Sequence, residues 1–561
     1  MSATPENPVA TSPVDVAAVP APGRDWGRGW WLLPVGVVLL LPIISVVLAA
    51  LHWDAASADI VREMLQTVLP DYVRTSLLLC LLVGIGSLLL GVGSACLVTL
   101  FDYRGRRTLE WLLLLPLAMP AYVSAYAYTD FLQFSGPAQT WLRTFLQAEG
   151  RMLPEIRNVW GAAFLLTVTL YPYVYLLVRT ALMDRATHLM EAAAMLGARS
   201  MRRIFSVALP LVRPFVAGGV ALVLMETLAD FGVSSYFGIQ TFTAGVIKAW
   251  VVMDDRMAAT QLSLALLISV SLLVWLERRA RQRMRFASTR GQNRSAMMTR
   301  VPQLHGWQAL LTWSLGMIPV LLGFILPVLM MLRPLLLGVG TEQEVLWEQF
   351  LPWAWNSIQL GVSGALLATA LALLLGGAAR LLPGAISRGM AWLASLGYAV
   401  PGVVIVVGLL LPVAALQQWQ PDWSIAGWLT TTVLGILWAY LVRFTAVALQ
   451  SVQGGYARIP ESQDEAARLL GSNAWGVLRR VHLPLLRGPV LAGLLLVFVD
   501  VMKELPATMV LRPFNMDTLA VSAYQLARDE RLTEAALPSL ALVLAGLVPV
   551  ILLSRSLRRK R

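Results

Sequence analysis

The sequence predicts an all-α integral membrane protein of about twelve transmembrane helices in two homologous six-helix halves, and three observations lead there. The 561 residues are 57% hydrophobic and 14% charged, with a mean hydropathy of +0.68, too apolar for a chain that keeps its surface in water. Apolar runs of spanning length recur along the whole chain. One polar stretch, Glu191 to Pro210, EAAAMLGARSMRRIFSVALP, returns 274 residues later as Glu465 to Pro484, EAARLLGSNAWGVLRRVHLP, without a gap.

Residues 1–28 hold Pro5, Pro8, Pro13, Pro20 and Pro22 among Ala, Val and Ser, a composition that buries no core and predicts a disordered cytoplasmic tail. The run from Trp30, preceded by Arg24 and Arg28, reads as an uncleaved first span. Further runs lie near 75–100, 111–132, 160–183, 213–232, 258–276, 308–332, 356–379, 391–413, 427–449, 487–506 and 535–554, and the fifth and eleventh spans can continue through broken helices. The halves are accordingly placed at 29–276 and 307–555, with a linker at 277–306 and a basic tail at 556–561.

Loop charge sets the orientation. Arg104, Arg106, Arg107, Arg185, Arg199, Arg202, Arg203, Arg213, Arg380, Arg388, Arg558, Arg559, Lys560 and Arg561 fall on one side, which the positive-inside rule makes cytoplasmic together with both termini. The other side collects Asp54, Asp59, Glu63, Asp71, Glu149, Glu155, Asp254, Asp255, Glu342, Glu344 and Glu348. The linker carries eight arginines between Arg278 and Arg300 and no acid among them, a composition drawn to anionic lipid headgroups. The halves also match at Arg74-Thr75-Ser76-Leu77 with Trp355-Asn356-Ser357-Ile358, and at Met119-Pro120-Ala121 with Val400-Pro401-Gly402, both 281 residues apart.

Several function classes drop out. The net charge of +12 sits in short loops between spans, which explains it without nucleic acid. Cys80 and Cys96 fall in one predicted helix, roughly 24 Å apart at ~1.5 Å per residue, so they cannot pair. His52, His188, His305 and His482 are scattered and lack metal-site spacing. None of the three lysines, Lys248, Lys503 and Lys560, follows the glycine of a phosphate loop, so the chain has no P-loop site for ATP.

In the repeated stretch, Glu191, Ala192, Ala193 and Gly197 answer to Glu465, Ala466, Ala467 and Gly471. Small Ala residues let another surface approach a helix, Gly accepts the left-handed conformation that ends one, and Pro210 or Pro484 can start the next. With Val207-Ala208-Leu209-Pro210 and Val481-His482-Leu483-Pro484 closing them, the two copies resemble the EAA loop of binding-protein-dependent ABC importer permeases, here as two fused permease halves. The resemblance implies a multi-pass protein of the bacterial inner membrane, not itself an enzyme and without cofactors. It implies that each loop is a coupling helix docking on an ATP-binding subunit, present in two copies, and that a periplasmic or extracellular binding protein delivers the substrate.

Spans five and eleven each carry two acids four residues apart, Glu226 with Asp230 and Asp500 with Glu504, the pairs again 274 apart and expected to share a helix face. A carboxylate at a helix centre costs about 2.5–3.5 kcal/mol on insertion scales, so four at symmetric places need a reason. One is a cation path; the other is a structural network with Lys503, tyrosines or the broken ends of these helices. The stretches Glu226 to Trp250 and Lys503 to Pro538 resemble ferric iron permeases within the family, which implies a trivalent cargo and oxygen ligands, with no metal-binding residue assigned. Tyr122, Tyr126, Tyr128, Tyr171, Tyr173 and Tyr175 offer phenols, although interfacial aromatic belts explain such residues too. Fused permeases also resemble importers of thiamine, polyamines such as putrescine, and phosphonates. In a different class, twelve spans in two parallel halves describe secondary transporters driven by ion gradients, against which the EAA loops weigh.

Overall fold

The computed structural model describes residues 29–51, 55–183, 193, 195–196, 198, 200–286, 303–337, 343–382, 384–421 and 425–558. Among them every regular element is helical, apart from one isolated parallel bridge between Asp102 and Gln303. Eleven helices are long and apolar enough to span: Trp30–Leu51, Leu69–Thr99, Val159–Ala181, Ile204–Ala229, Arg256–Arg279, Gly306–Leu337, Trp347–Leu381, Gly402–Trp419, Leu434–Tyr456, Ala474–Lys503 and Leu532–Leu552. A bent pair, Arg106–Ala118 with Ala121–Leu146, makes the twelfth. Cys80 and Cys96 do share the helix Leu69–Thr99. The predicted N-terminal tail lies outside the described residues.

The expected span at 111–132 is bent, its two parts meeting at 89°. The cause is Pro120, whose ring drives Met119 into extended backbone at φ −89, ψ 114. The expected span at 391–413 breaks in the same way, with Val400 at φ −78, ψ 123 before Pro401, and its long part is Gly402–Trp419. The matched triplets at 119–121 and 400–402 are thus matched helix interruptions.

The fifth and eleventh spans also differ from the expected 213–232 and 487–506. Each begins earlier and ends earlier, at Ala229 and Lys503, with a break at Asp230 and at Glu504. Pro210 and Pro484 stand in the first turn of the α-helices Leu209–Ala229 and Leu483–Lys503, as expected, and π turns at Ile204–Ala208 and Leu478–His482 join these helices to the segments before them. Proline lacks an N–H and crowds the carbonyl four residues back, and a widened turn relieves both.

Glycines set the packing distances. A Cβ at Gly219 would lie 2.9 Å from Cα of Val174, and at the matching Gly493 one would lie 3.4 Å from Cα of Ala448, so each half brings its fourth and fifth spans together at the same place. The halves also exchange their first helices. Leu33–Leu51 lies against Gly402–Trp419 of the second half, and indole Nε1 of Trp438 donates to Val38 O at 2.8 Å. Reciprocally, the helix starting at Gly306 lies against the first half, where Tyr128 donates to Leu322 O at 2.7 Å. Leu77, Leu81, Ile85 and Leu89 form an exposed apolar stripe on Leu69–Thr99, while Leu79 and Val83 on the opposite face are buried, as lipid on one side requires.

A Cβ at Gly408 would run into the Pro42 carbonyl oxygen. Gly408→Leu is therefore expected to push the first helix off the second half and to cost about 1–3 kcal/mol. A lower melting temperature of the purified protein checks this; an unchanged one would show that the exchanged helix contributes little.

Candidate functional site

The helix interruptions at Met119-Pro120, Asp230 and Glu504 line one cavity of about 220 Å³ between the halves, and Tyr398, two residues before the interruption at Val400-Pro401, lines it too. All four acids singled out in the sequence reach it. They are joined there by Arg443, Lys503, Tyr122, Tyr173 and Tyr398.

The acids do two different things. The helix Leu209–Ala229 stops before Asp230, whose backbone is extended at ψ 121. Its carboxylate then accepts from the N–H groups of Val233 at 3.4 Å and Ser234 at 3.0 Å, and from the Ser234 hydroxyl at 3.1 Å. Glu504, at ψ 123, repeats the arrangement with the N–H groups of Ala507 at 3.0 Å and Thr508 at 2.9 Å and the Thr508 hydroxyl at 2.8 Å. Both carboxylates thus cap the short helices that follow, Gly232–Tyr236 and Pro506–Leu511. The expectation that each pair shares one continuous helix face is corrected, because the second member of each pair stands in the break. Glu226 and Asp500 remain on the last turns of their helices, and no hydrogen bond among the described residues holds their carboxylates.

The cations come from the second half alone. Arg443 lies 3.4 Å from Oε1 of Glu504, and Lys503 Nζ donates to Leu117 O at 3.0 Å while its own carbonyl accepts from Tyr122 at 3.2 Å. The positions 274 residues earlier, Thr169 and Ala229, also line the cavity and carry no charge. Four carboxylates therefore face two cations. Sequence reasoning missed Arg443, although an arginine in the middle of an apolar run was a signal.

Most of the tyrosines form neither a belt nor a ligand set. Tyr171 and Tyr175 donate to Leu113 O and Glu110 O at 3.0 Å each, tying the fourth span to the bent third. Tyr126 packs edge-on against Tyr236 with ring centroids 4.7 Å apart. Among the described residues no group of three His, Cys, Asp or Glu side chains is placed to hold a metal ion.

In the second repeated loop, helix Glu461–Leu469 ends with Gly471 at φ +82. The N–H of Ser472 donates to Ala467 O at 3.0 Å and that of Gly471 to Arg468 O at 2.9 Å, a Schellman ending that needs the left-handed glycine. In the first loop Glu191, Ala192 and Gly197 lie outside the described residues. Ala193 is described, and Ala198 N–H donates to its carbonyl at 3.0 Å, the counterpart of the Ser472 bond. Glu465 and Ala466 are exposed and Ala467 is buried. A feature not noticed in the sequence is a matched apolar pair in each loop: Met195 and Leu196 are 90% and 88% exposed, Leu469 and Leu470 89% and 87%. Two large apolar side chains so exposed, at equivalent places, are suited to a protein partner.

The sequence resembles those of known proteins. The chain is 26% identical to the Fe(3+)-transport system permease protein FbpB 2 of Haemophilus influenzae over 528 residues, 93% of this chain and 97% of that one. It is 28% identical over 214 residues to the sulfate transport system permease protein CysT of Escherichia coli, covering 38% of this chain and 73% of the relative. CysW of the same organism is 26% identical over 215 residues, 38% and 71% of the two chains. The description "binding-protein-dependent transport system inner membrane component" matches residues 87–286 and 368–559, so both halves carry it. The chain belongs to that family, and is the multi-pass, non-catalytic permease subunit of an ABC importer of the inner membrane.

Proposed function

We propose that this permease imports ferric iron, received from a periplasmic binding protein and passed between the halves along Glu226, Asp230, Asp500 and Glu504. Two ATP-binding subunits drive it from the cytoplasm, one at Glu191-Ala192-Ala193 with Gly197 and one at Glu465-Ala466-Ala467 with Gly471, and both termini lie on that side. The observation that carries the cargo is the cavity's charge. At an effective dielectric constant of 20, unit charges 4 Å apart interact by about 4 kcal/mol, so four carboxylates against two cations favour a cation and oppose an oxyanion such as sulfate. Likeness to an Fe(3+) permease across nearly its whole length agrees, whereas likeness to the sulfate permeases covers only one half's worth of chain. The acids are not clustered as a chelating set. They act as a field that an oxygen-seeking cation crosses without being trapped, as conduction needs sites weak enough to leave.

Within this reading the uncapped acids, Glu226 and Asp500, carry the charge role. Glu226→Gln and Asp500→Asn keep size and hydrogen-bonding capacity, and each is expected to lower uptake of radioactive ferric ion about tenfold, the factor that ~1.4 kcal/mol represents. Normal uptake in the double variant at equal membrane level would return these residues to helix packing. Glu504→Ala removes a cap and leaves Arg443 unpaired, so it is expected to cost about 3–5 kcal/mol and to show as a fall in melting temperature.

Gly471→Val places a β-branched residue at φ +82. The expected result is a complex whose ATPase activity no longer rises with loaded binding protein; full stimulation would remove the docking role of the loop. The cargo itself is checked on the partner binding protein, whose intrinsic fluorescence should be quenched by ferric ion. Preference for thiamine, a polyamine or a phosphonate would overturn the iron assignment.

A further inference from the structure

Where the second loop joins the membrane, four elements meet at a buried polar cluster that the cavity does not use. Asp464 precedes the Glu465-Ala466-Ala467 triplet and is 5% exposed; His482, in the π turn at the foot of Ala474–Lys503, is fully buried. Oδ1 of Asp464 accepts from Nε2 of His482 at 2.8 Å, and Oδ2 from Nε of Arg380 at 2.7 Å. Arg380 ends the helix Gln343–Leu381 and also donates to Ile459 O at 3.0 Å. Tyr456, the last residue of Leu434–Tyr456, sets its hydroxyl 3.4 Å from Nδ1 of His482 and its ring edge-on to the imidazole. Burial pushes the Asp464 carboxyl up, but the hydrogen bonds from His482 and Arg380 outweigh it and hold the group below its usual range, so both bonds are made to a carboxylate.

At the matching positions the first half carries none of these side chains. The residues 274 positions before Asp464, His482 and Tyr456 are Met190, Ala208 and Leu182, and 281 before Arg380 stands Thr99. Thr99 uses its hydroxyl on its own helix, donating to Ala95 O at 2.6 Å, and Ala208 is fully buried. The Glu-Ala-Ala, Gly and Leu-Pro positions are nonetheless kept in both copies. The repeated pattern therefore recurs without these side chains at their matching positions.

We propose that Arg380, Asp464 and His482 are positioning residues: a strut that locks the second coupling helix to the foot of the helix bearing Asp500, so that displacement of this loop is passed along that helix to the break at Glu504. The stiff connection serves the half that carries Arg443 and Lys503. The proposal rests on the coupling reading of the loops.

The test uses the permease with its own ATP-binding subunit in nanodiscs, reading ATPase activity with and without the iron-loaded binding protein. Asp464→Asn and His482→Ala are expected to cut the stimulation about fivefold or more, the low end of typical coupling. His482→Gln, whose amide can still donate to the carboxylate, should recover most of it. The triple variant Arg380→Thr, Asp464→Met, His482→Ala copies the first half and leaves no buried charge unpaired. It should remain poorly stimulated, and amide hydrogen exchange over 461–471 should be faster than in the wild type.

Wild-type stimulation in the triple variant would overturn the strut, since the cluster would then only satisfy its own buried charges. Unchanged exchange over 461–471 would overturn it as well, whether or not the ATPase stays bound. If Gly471→Val is also fully stimulated, the coupling reading itself fails and the strut with it. If Gly471→Val uncouples and the triple variant does not, only the strut fails.

Discussion

A helix interrupted inside a bilayer leaves amide and carbonyl groups that no water reaches, each costing several kcal/mol if unpaired. The centre of this permease depends on how two such interruptions are satisfied. Asp230 and Glu504 each turn a carboxylate onto the first amides of the next helix, adding a threonine or serine hydroxyl. Because these carboxylates satisfy backbone donors, the chain can break and start a new short helix beside the cavity in both halves. The acids one turn earlier, Glu226 and Asp500, line the cavity without such a role.

The frame is a repeat, yet its chemistry is uneven. Helix breaks, caps and close contacts at Gly219 and Gly493 recur in register. Ser76 and Ser357, part of the matched segments in the second and eighth spans, also do the same work, accepting from Phe242 N–H at 3.4 Å and Leu519 N–H at 2.8 Å. Thr241 and Thr518 then cap the helices that begin there. The positions matching Arg443, Lys503, Arg380, Asp464 and His482 are Thr169, Ala229, Thr99, Met190 and Ala208, none of them charged. Fusion of two halves in one chain allows this, since a single copy of the chain can hold two different versions of one frame and still assemble in a fixed way.

Exchange of the first helices ties the halves together. Each half covers part of the other with its opening helix, through Trp438 and Val38 on one side and Tyr128 and Leu322 on the other. Lys503 adds a link at the centre by donating to the carbonyl of Leu117 across the halves.

The sequence by itself determined the membrane class, the two halves, the number of spans and the repeated loops, because hydropathy and repetition are properties of residue order. It also marked all four acids, since a carboxylate in an apolar run is costly wherever the fold puts it. Tertiary structure alone decided which of them are caps. Asp230 and Glu226 look alike in sequence, and only the extended backbone at Asp230 separates their roles. It alone also brought Arg443 to Glu504, and Arg380 and His482 to Asp464, partners 61, 84 and 18 residues apart. Pairings of that kind follow from how helices pack around prolines and glycines, and no local pattern in the chain encodes them.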